Sequence, residues 1–472
     1  MDSRSGVDRL KRAQHPDLVR GLGPWAATAI VVGTMIGTGI FIVPADMTRT
    51  AGTVKLVFAV WIAGGLLTLF GAFAYAELGA AIPEAGGEYA YIGRGFGPVW
   101  GFLFGWMHSI AGRTASIAAI AAGLLRFWGF LDPRVMMPLA SLHFSMPWSA
   151  KPYSFVFTLA MPLAVAAIAA VTFINYLGVR LGGQVQIVLT VIKVAVIAAV
   201  IAVGFAFHGH PAALATPAGR AEGMGGFFAA MVAALWAYDG WANINLVGSE
   251  VIEPGRSIPR ALVAGVAIVM VLYILTSAVC FYVLPFSQVA ASPHVVSDAM
   301  ARVAGSRAAA WITLAMVVCA LGTLNSSILS GARVDYAMAR DGLFFRVARG
   351  IHPRFRTPAN ALIFQGCLAA VLALTGTFED LFSLFIFVQW IFYGLATASM
   401  MRLRRKEPGL IRPYRSWGYP VVPVIFILGA VAVTSSVLIE RPLRAGLALV
   451  AILVGLFFYR RWRSEEASGG QA

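Results

Sequence analysis

The chain is a succession of long apolar runs separated by short polar punctuation. Runs long enough to cross a bilayer as helices fall at about 24–45, 54–80, 97–127, 153–174, 184–207, 226–248, 259–284, 306–332, 359–377, 380–401, 420–438 and 442–459. These predict an all-α polytopic membrane protein of 12 transmembrane helices. Two of the runs are broken at their centres. The first reads Gly33-Thr34-Met35-Ile36-Gly37-Thr38-Gly39-Ile40-Phe41, and Gly37-Thr38-Gly39 is its least helix-favouring triplet. The other reads Leu235-Trp236-Ala237-Tyr238-Asp239-Gly240-Trp241. It sets an acid beside a glycine at membrane depth, where ionisable groups are costly and usually functional.

Unwound backbone inside a membrane is tolerated only where protein or a cavity surrounds it. Amides freed at a half-helix N-terminus suit an anion. Gly33 and Gly37 also have the spacing of a helix-packing face, so the first break alone leaves packing and binding open. A dinucleotide loop does not fit, because Ile42 stands where the last glycine of GxGxxG belongs and no strand precedes. Two interrupted helices at matching places in two halves of a chain point to a transporter's substrate site.

Composition agrees: 59% of 472 residues are hydrophobic and 12% charged, far from soluble norms. The net charge of +15 comes with no nucleic-acid motif, and basic residues gather in short alternate loops instead. Their bias puts both termini in the cytoplasm. Residues 1–23 read as a cytoplasmic arm carrying Arg4, Arg9, Lys11, Arg12 and Arg20, and residues 460–472 as a cytoplasmic tail. Cys280, Cys319 and Cys367 have no metal spacing and read as buried apolar residues. His208 and His210 form a loop pair with no third ligand nearby. No GxSxG, HExxH or paired-carboxylate motif supports an intramembrane enzyme, and no cofactor is expected.

Several loops carry acids. Glu77, Glu84 and Glu88 flank Pro83 and Gly86-Gly87 and read as solvated loop charges, with gating of an inner mouth as the alternative. In the stretch Arg333–Gly342 the charges can pair at helical spacings, Arg333 with the neighbourhood of Asp335 or Arg340 with the preceding turn. Lys193 lies inside a span, where an ammonium must meet oxygens or lose its charge. Arg113 also lies within a span.

Gly33–Phe41, Phe73–Leu78, Pro83–Tyr89, Asn175–Arg180 through Gln186 and Lys193, Trp236–Trp241 and Arg333–Gly342 together resemble the amino acid–polyamine–organocation superfamily. Within it the chain is most similar to the bacterial form of the L-amino acid transporter family. The resemblance implies the inverted five-plus-five helix arrangement of the leucine-transporter fold, with repeats at 24–207 and 226–401 and two extra helices at 420–459. It implies transport of an amino acid held at the two breaks, over Met35, Ile36, Gly37, Thr38, Gly39 and Ile40 and over Trp236, Ala237, Tyr238, Asp239 and Gly240. Trp236 would close over the substrate from outside. Lys193 would reach the first break, either where sodium-coupled relatives of this fold hold a cation or as a structural tie. Animal members bind a single-span partner through an external cysteine. None occurs in 128–152, so no such partner is expected. A proline common in relatives is replaced near Thr114, which leaves the role of Arg113 open. The expected function is sodium-independent transport of neutral L-amino acids in the inner membrane, by exchange or facilitated diffusion. Proton coupling, or a cationic amino acid or polyamine carrier, is the alternative.

Overall fold

The computed structural model describes residues 18–144, 153–206, 223–292, 294–375, 378–440 and 442–469. The histidine pair at 208 and 210, most of the N-terminal arm and part of the loop at 128–152 lie outside them. In chain order the helices are α1 (Pro24–Met35), α2 (Gly39–Ala51), α3 (Val54–Ala81), α4 (Glu88–Phe96), α5 (Pro98–Met107) and α6 (Arg113–Leu131). A hairpin of β1 (Pro138–Phe144) and β2 (Tyr153–Thr158) follows, then α7 (Ala160–Tyr176), α8 (Val179–Ala206), α9 (Gly223–Ala237) and α10 (Asn243–Leu246). The rest are α11 (Pro254–Val283), α12 (Phe286–Ala291), α13 (Val295–Ala304), α14 (Ser306–Arg340), α15 (Ala359–Thr375), α16 (Phe378–Lys406), α17 (Val421–Glu440) and α18 (Pro442–Gly469).

Among the described residues eight helical segments are long and apolar enough to cross a membrane, and α7, residues 225–237 of α9 and most of α15 are shorter apolar helices. The architecture is that of a multi-pass membrane protein. The interrupted first segment, Pro24–Ala51, is 89% buried along its most apolar stretch, against 28% for Val179–Ala206. The broken helix is therefore the interior column, wrapped by the others. Its half α1 packs on α8 and α11, while α2 packs on α9. On the other side α14 runs against α6 and α8.

Small residues permit these close approaches. An added Cβ at Gly33 would run into the Thr190 and Gln186 side chains of α8, and one at Gly39 would lie 2.8 Å from Ala237 Cα. Close packing thus holds at Gly33 and at Gly39 alike. Between α5 and α6 the chain makes a π-helical turn, His108–Gly112, a feature frequent at functional sites.

Three sequence expectations are corrected. Cys367 is exposed rather than buried, because α15 turns that face outward beside α7. Glu77 and Glu88 are buried, not solvated. Glu77 is paired with Arg404 at 2.5 Å and Arg412 at 3.3 Å. Arg333 pairs across the molecule with Glu250, at 2.7 and 3.1 Å, rather than along its own helix. Asp335 accepts from the Ser109 hydroxyl in the π turn, and Arg340 pairs with the residue after it, Asp341, at 3.1 Å, rather than with the preceding turn.

Candidate functional site

At Ile36-Gly37-Thr38 the helix opens, and the last carbonyls of α1 lose their intrahelical donors. Side chains replace them. Lys193 Nζ donates to Gly33 O at 2.5 Å and Ile36 O at 2.7 Å, and contacts Thr323 Oγ1 at 3.0 Å. Tyr273 Oη donates to Met35 O at 2.5 Å and lies 3.0 Å from Ala237 O. On the other side of the break α2 begins with no side-chain cap at Thr38. Phe41 N donates to Thr38 O at 3.2 Å, and the Thr38 side chain caps none of the first-turn N–H groups, Gly39 among them, at the positive end of the helix dipole.

The second break spans the turn between Ala237 and Asn243. Gly240 has φ +97, and a Cβ there would collide with Thr34 of α1, so this turn and its approach to the first break both need glycine. Asp239 Oδ1 accepts from Tyr393 Oη at 2.9 Å. Arg113 donates to Asn243 Oδ1 at 2.7 Å.

The two breaks face one small cavity of about 40 Å³. Of the residues expected at the site, Met35, Gly37, Thr38, Gly39, Trp236, Ala237 and Asp239 line it. Ile36, Ile40, Tyr238 and Gly240 do not. The Ile36 and Ile40 side chains are fully buried in packing, although the Ile36 carbonyl is held by Lys193. Tyr238 turns away, donating to Trp61 O at 3.0 Å. Arg113, whose role the sequence leaves open, lines the cavity, as do Thr34, Ser116, Ile120, Thr323 and Ser327. The polar run Thr323-Leu324-Asn325-Ser326-Ser327 inside an apolar span is the overlooked signal. A cavity this tight is far below the few hundred Å³ of usual ligand pockets, too small for an amino acid in this conformation.

Beside the second break, α4 and the loop before it are tied to α10. Gly86 N donates to Leu246 O at 3.0 Å, and Tyr91 Oη donates to Asn245 Oδ1 at 3.1 Å. Tyr89 Oη donates to Asp341 at 2.9 Å, and Arg94 forks onto Glu407, with Nη2 to Oε2 at 2.5 Å. Tyr89, Gly93 and Arg94 line a groove of about 350 Å³ with Glu84, Arg340 and Lys406. Burial raises the Glu84 carboxyl above its ordinary value, against the pull of Arg94 and Arg340.

Two broken helices meeting at a small cavity fit a membrane transporter. The chain belongs to the amino acid permease family of the amino acid–polyamine–organocation superfamily, whose model matches residues 22–458. It is 32% identical to the serine/threonine exchanger SteT of Bacillus subtilis, over 96% of this chain and 98% of that protein. It is 32% identical to the mouse b(0,+)-type amino acid transporter 1, over 94% and 88% of the two chains. The human cystine/glutamate transporter is 28% identical, over 96% and 86%. Family and relatives are transporters rather than enzymes.

Proposed function

We propose that this chain is a sodium-independent transporter of neutral L-amino acids, working by exchange or facilitated diffusion through alternating access in the inner membrane. The substrate carboxylate would meet the α2 N-terminus at Thr38 and Gly39. Its ammonium would meet carbonyls near Met35, Trp236 and Asp239, with Trp236 covering it from outside. The observation that carries the sodium-independent part is Lys193: its ammonium spans the Gly33 and Ile36 carbonyls at the break. A fixed cation there holds the unwound backbone in one geometry without drawing on an ion gradient. The twelve-helix count, the inverted repeats at 24–207 and 226–401, the extra helices at 420–459 and the cytoplasmic termini belong to the same reading. So does function without a disulfide-linked heavy subunit. The sequence coverage of the exchanger relative, nearly end to end on both chains, supports exchange.

Asp239 favours a second reading. The residue lines the cavity, and an acid there could select a cationic amino acid or a polyamine. Uptake of a labelled neutral amino acid into proteoliposomes, competed by alanine, serine, leucine, lysine and putrescine, separates the two. Stronger competition by lysine or putrescine would replace the first reading by the second.

A further inference from the structure

Glu88 opens α4 and turns inward, away from the groove that Tyr89 and Gly93 line on the same helix. It is 1% exposed, and its Oε2 has no hydrogen-bond partner. The groups acting on it come from every side: Arg113 from α6, Asp239 from the second break, Tyr75 from α3, Tyr91 from its own helix and Tyr393 from α16. Two carboxyls thus share one guanidinium, Glu88 fully buried and Asp239 half-buried at the cavity. Asp239 is the better satisfied of the two, accepting from Tyr393 Oη at 2.9 Å and from the Gly240 N–H. An anionic oxygen facing no donor in such a place is costly. Of two neighbouring carboxyls facing one guanidinium, the buried one without a donor is the one that takes up a proton.

We propose that Glu88 is a proton-binding site: closing α4 over the cavity puts a proton on its carboxyl, and opening α4 returns that proton to water in the groove. The inference rests on the transporter reading, since α4 must open for a substrate to pass. The proton is the only species bound or released, and no bond other than O–H forms or breaks. Burial is the main cause that pushes the Glu88 carboxyl up to about 8, with Arg113 opposing and Asp239 adding to the rise. The sign follows. The ordinary carboxyl value is about 4.3, so the closed form gains from proton uptake below about 8. That gain is lost as pH rises through about 8.

The test is exchange of a labelled neutral amino acid across proteoliposomes at matched internal and external pH, from about 6 to about 10. Wild type should slow above about 8, by at most tenfold per pH unit for one proton. Glu88→Gln, a permanent neutral mimic, should exchange with a flat profile. Infrared spectra of the purified protein should show a buried protonated carboxyl that titrates in the same range and is missing from Glu88→Gln. Glu88→Asp keeps an ionisable group and should keep the fall, at a moved midpoint. A pH profile in Glu88→Gln matching wild type, a flat Glu88→Asp profile, or no titrating carboxyl in the wild-type spectrum would overturn the assignment. The infrared band reads Glu88 even if no substrate moves, so loss of the transport reading and loss of the proton site are told apart.

Discussion

Replacing Lys193 by Met keeps the length and apolar stem of the side chain and removes its charge. In the native structure Nζ bonds Gly33 O and Ile36 O and contacts Thr323 Oγ1. Thr323 Oγ1 also reaches the same two carbonyls, at 3.3 and 3.1 Å, but has one proton to give and lies 3.2 Å from Cys319 O as well. After the substitution at least one carbonyl of the break is stranded. A hydrogen bond from a charged donor contributes about 1.5–3 kcal/mol net, and relief from burying an ammonium offsets part of a larger gross loss. A net change of about 1.5–3 kcal/mol corresponds to a ten- to hundredfold effect. Substrate affinity of the purified variant, measured by calorimetry, should fall by about that factor. Exchange in proteoliposomes should fall with it, while circular dichroism shows the helix content retained. Affinity and exchange within twofold of wild type would refute the claim that the ammonium holds the break in its binding geometry.

Gly39→Val places a Cβ 2.8 Å from Ala237 Cα and should abolish substrate binding in calorimetry while the protein still inserts; wild-type affinity would remove the carboxylate from this helix end. A decarboxylated amine should bind far more weakly than its parent amino acid, and equal affinity would also exclude a carboxylate site there. Glu250→Ala strands the buried Arg333 guanidinium, 1% exposed, and should cost about 3–5 kcal/mol in equilibrium unfolding. Glu250→Ala combined with Arg333→Met should recover part of that loss, and a double variant less stable than the single would contradict the ion-pair account.

Much of the fold is legible in the sequence because membrane helices advertise themselves by length and apolarity, and both breaks by glycine beside polar residues. The centres of the breaks fall close to their sequence marks: Ile36–Thr38 is open where Gly37-Thr38-Gly39 points, and the turn around Asp239 and Gly240 is non-helical. What sequence does not say is which side chains at a break face inward. Ile36, Ile40 and Tyr238 belong to the motifs yet pack away from the cavity, since rotation about a helix axis is set by tertiary neighbours. The α14 contribution is hidden for a related reason, as Thr323 and Ser327 read as ordinary polar interruptions until α14 is set against the first break. Glu77, in the last turns of α3, is kept dry by its pairing with Arg404 and Arg412, and the acid at 88 misleads because a loop between two spans is ordinarily wet. Here Pro83 and Gly86-Gly87 fold it back under α10, and Ala85 bridges to Val247.

The central claim is tested most directly by loading proteoliposomes of the purified chain alone with an unlabelled neutral amino acid and following uptake of the labelled one. Sodium chloride is replaced by choline chloride in a parallel set. The account predicts uptake accelerated by the internal amino acid or, for facilitated diffusion, equal with and without it, and in either case unchanged by removal of sodium. Uptake that collapses in choline would contradict it, because the Lys193 ammonium would then not stand in for a bound cation.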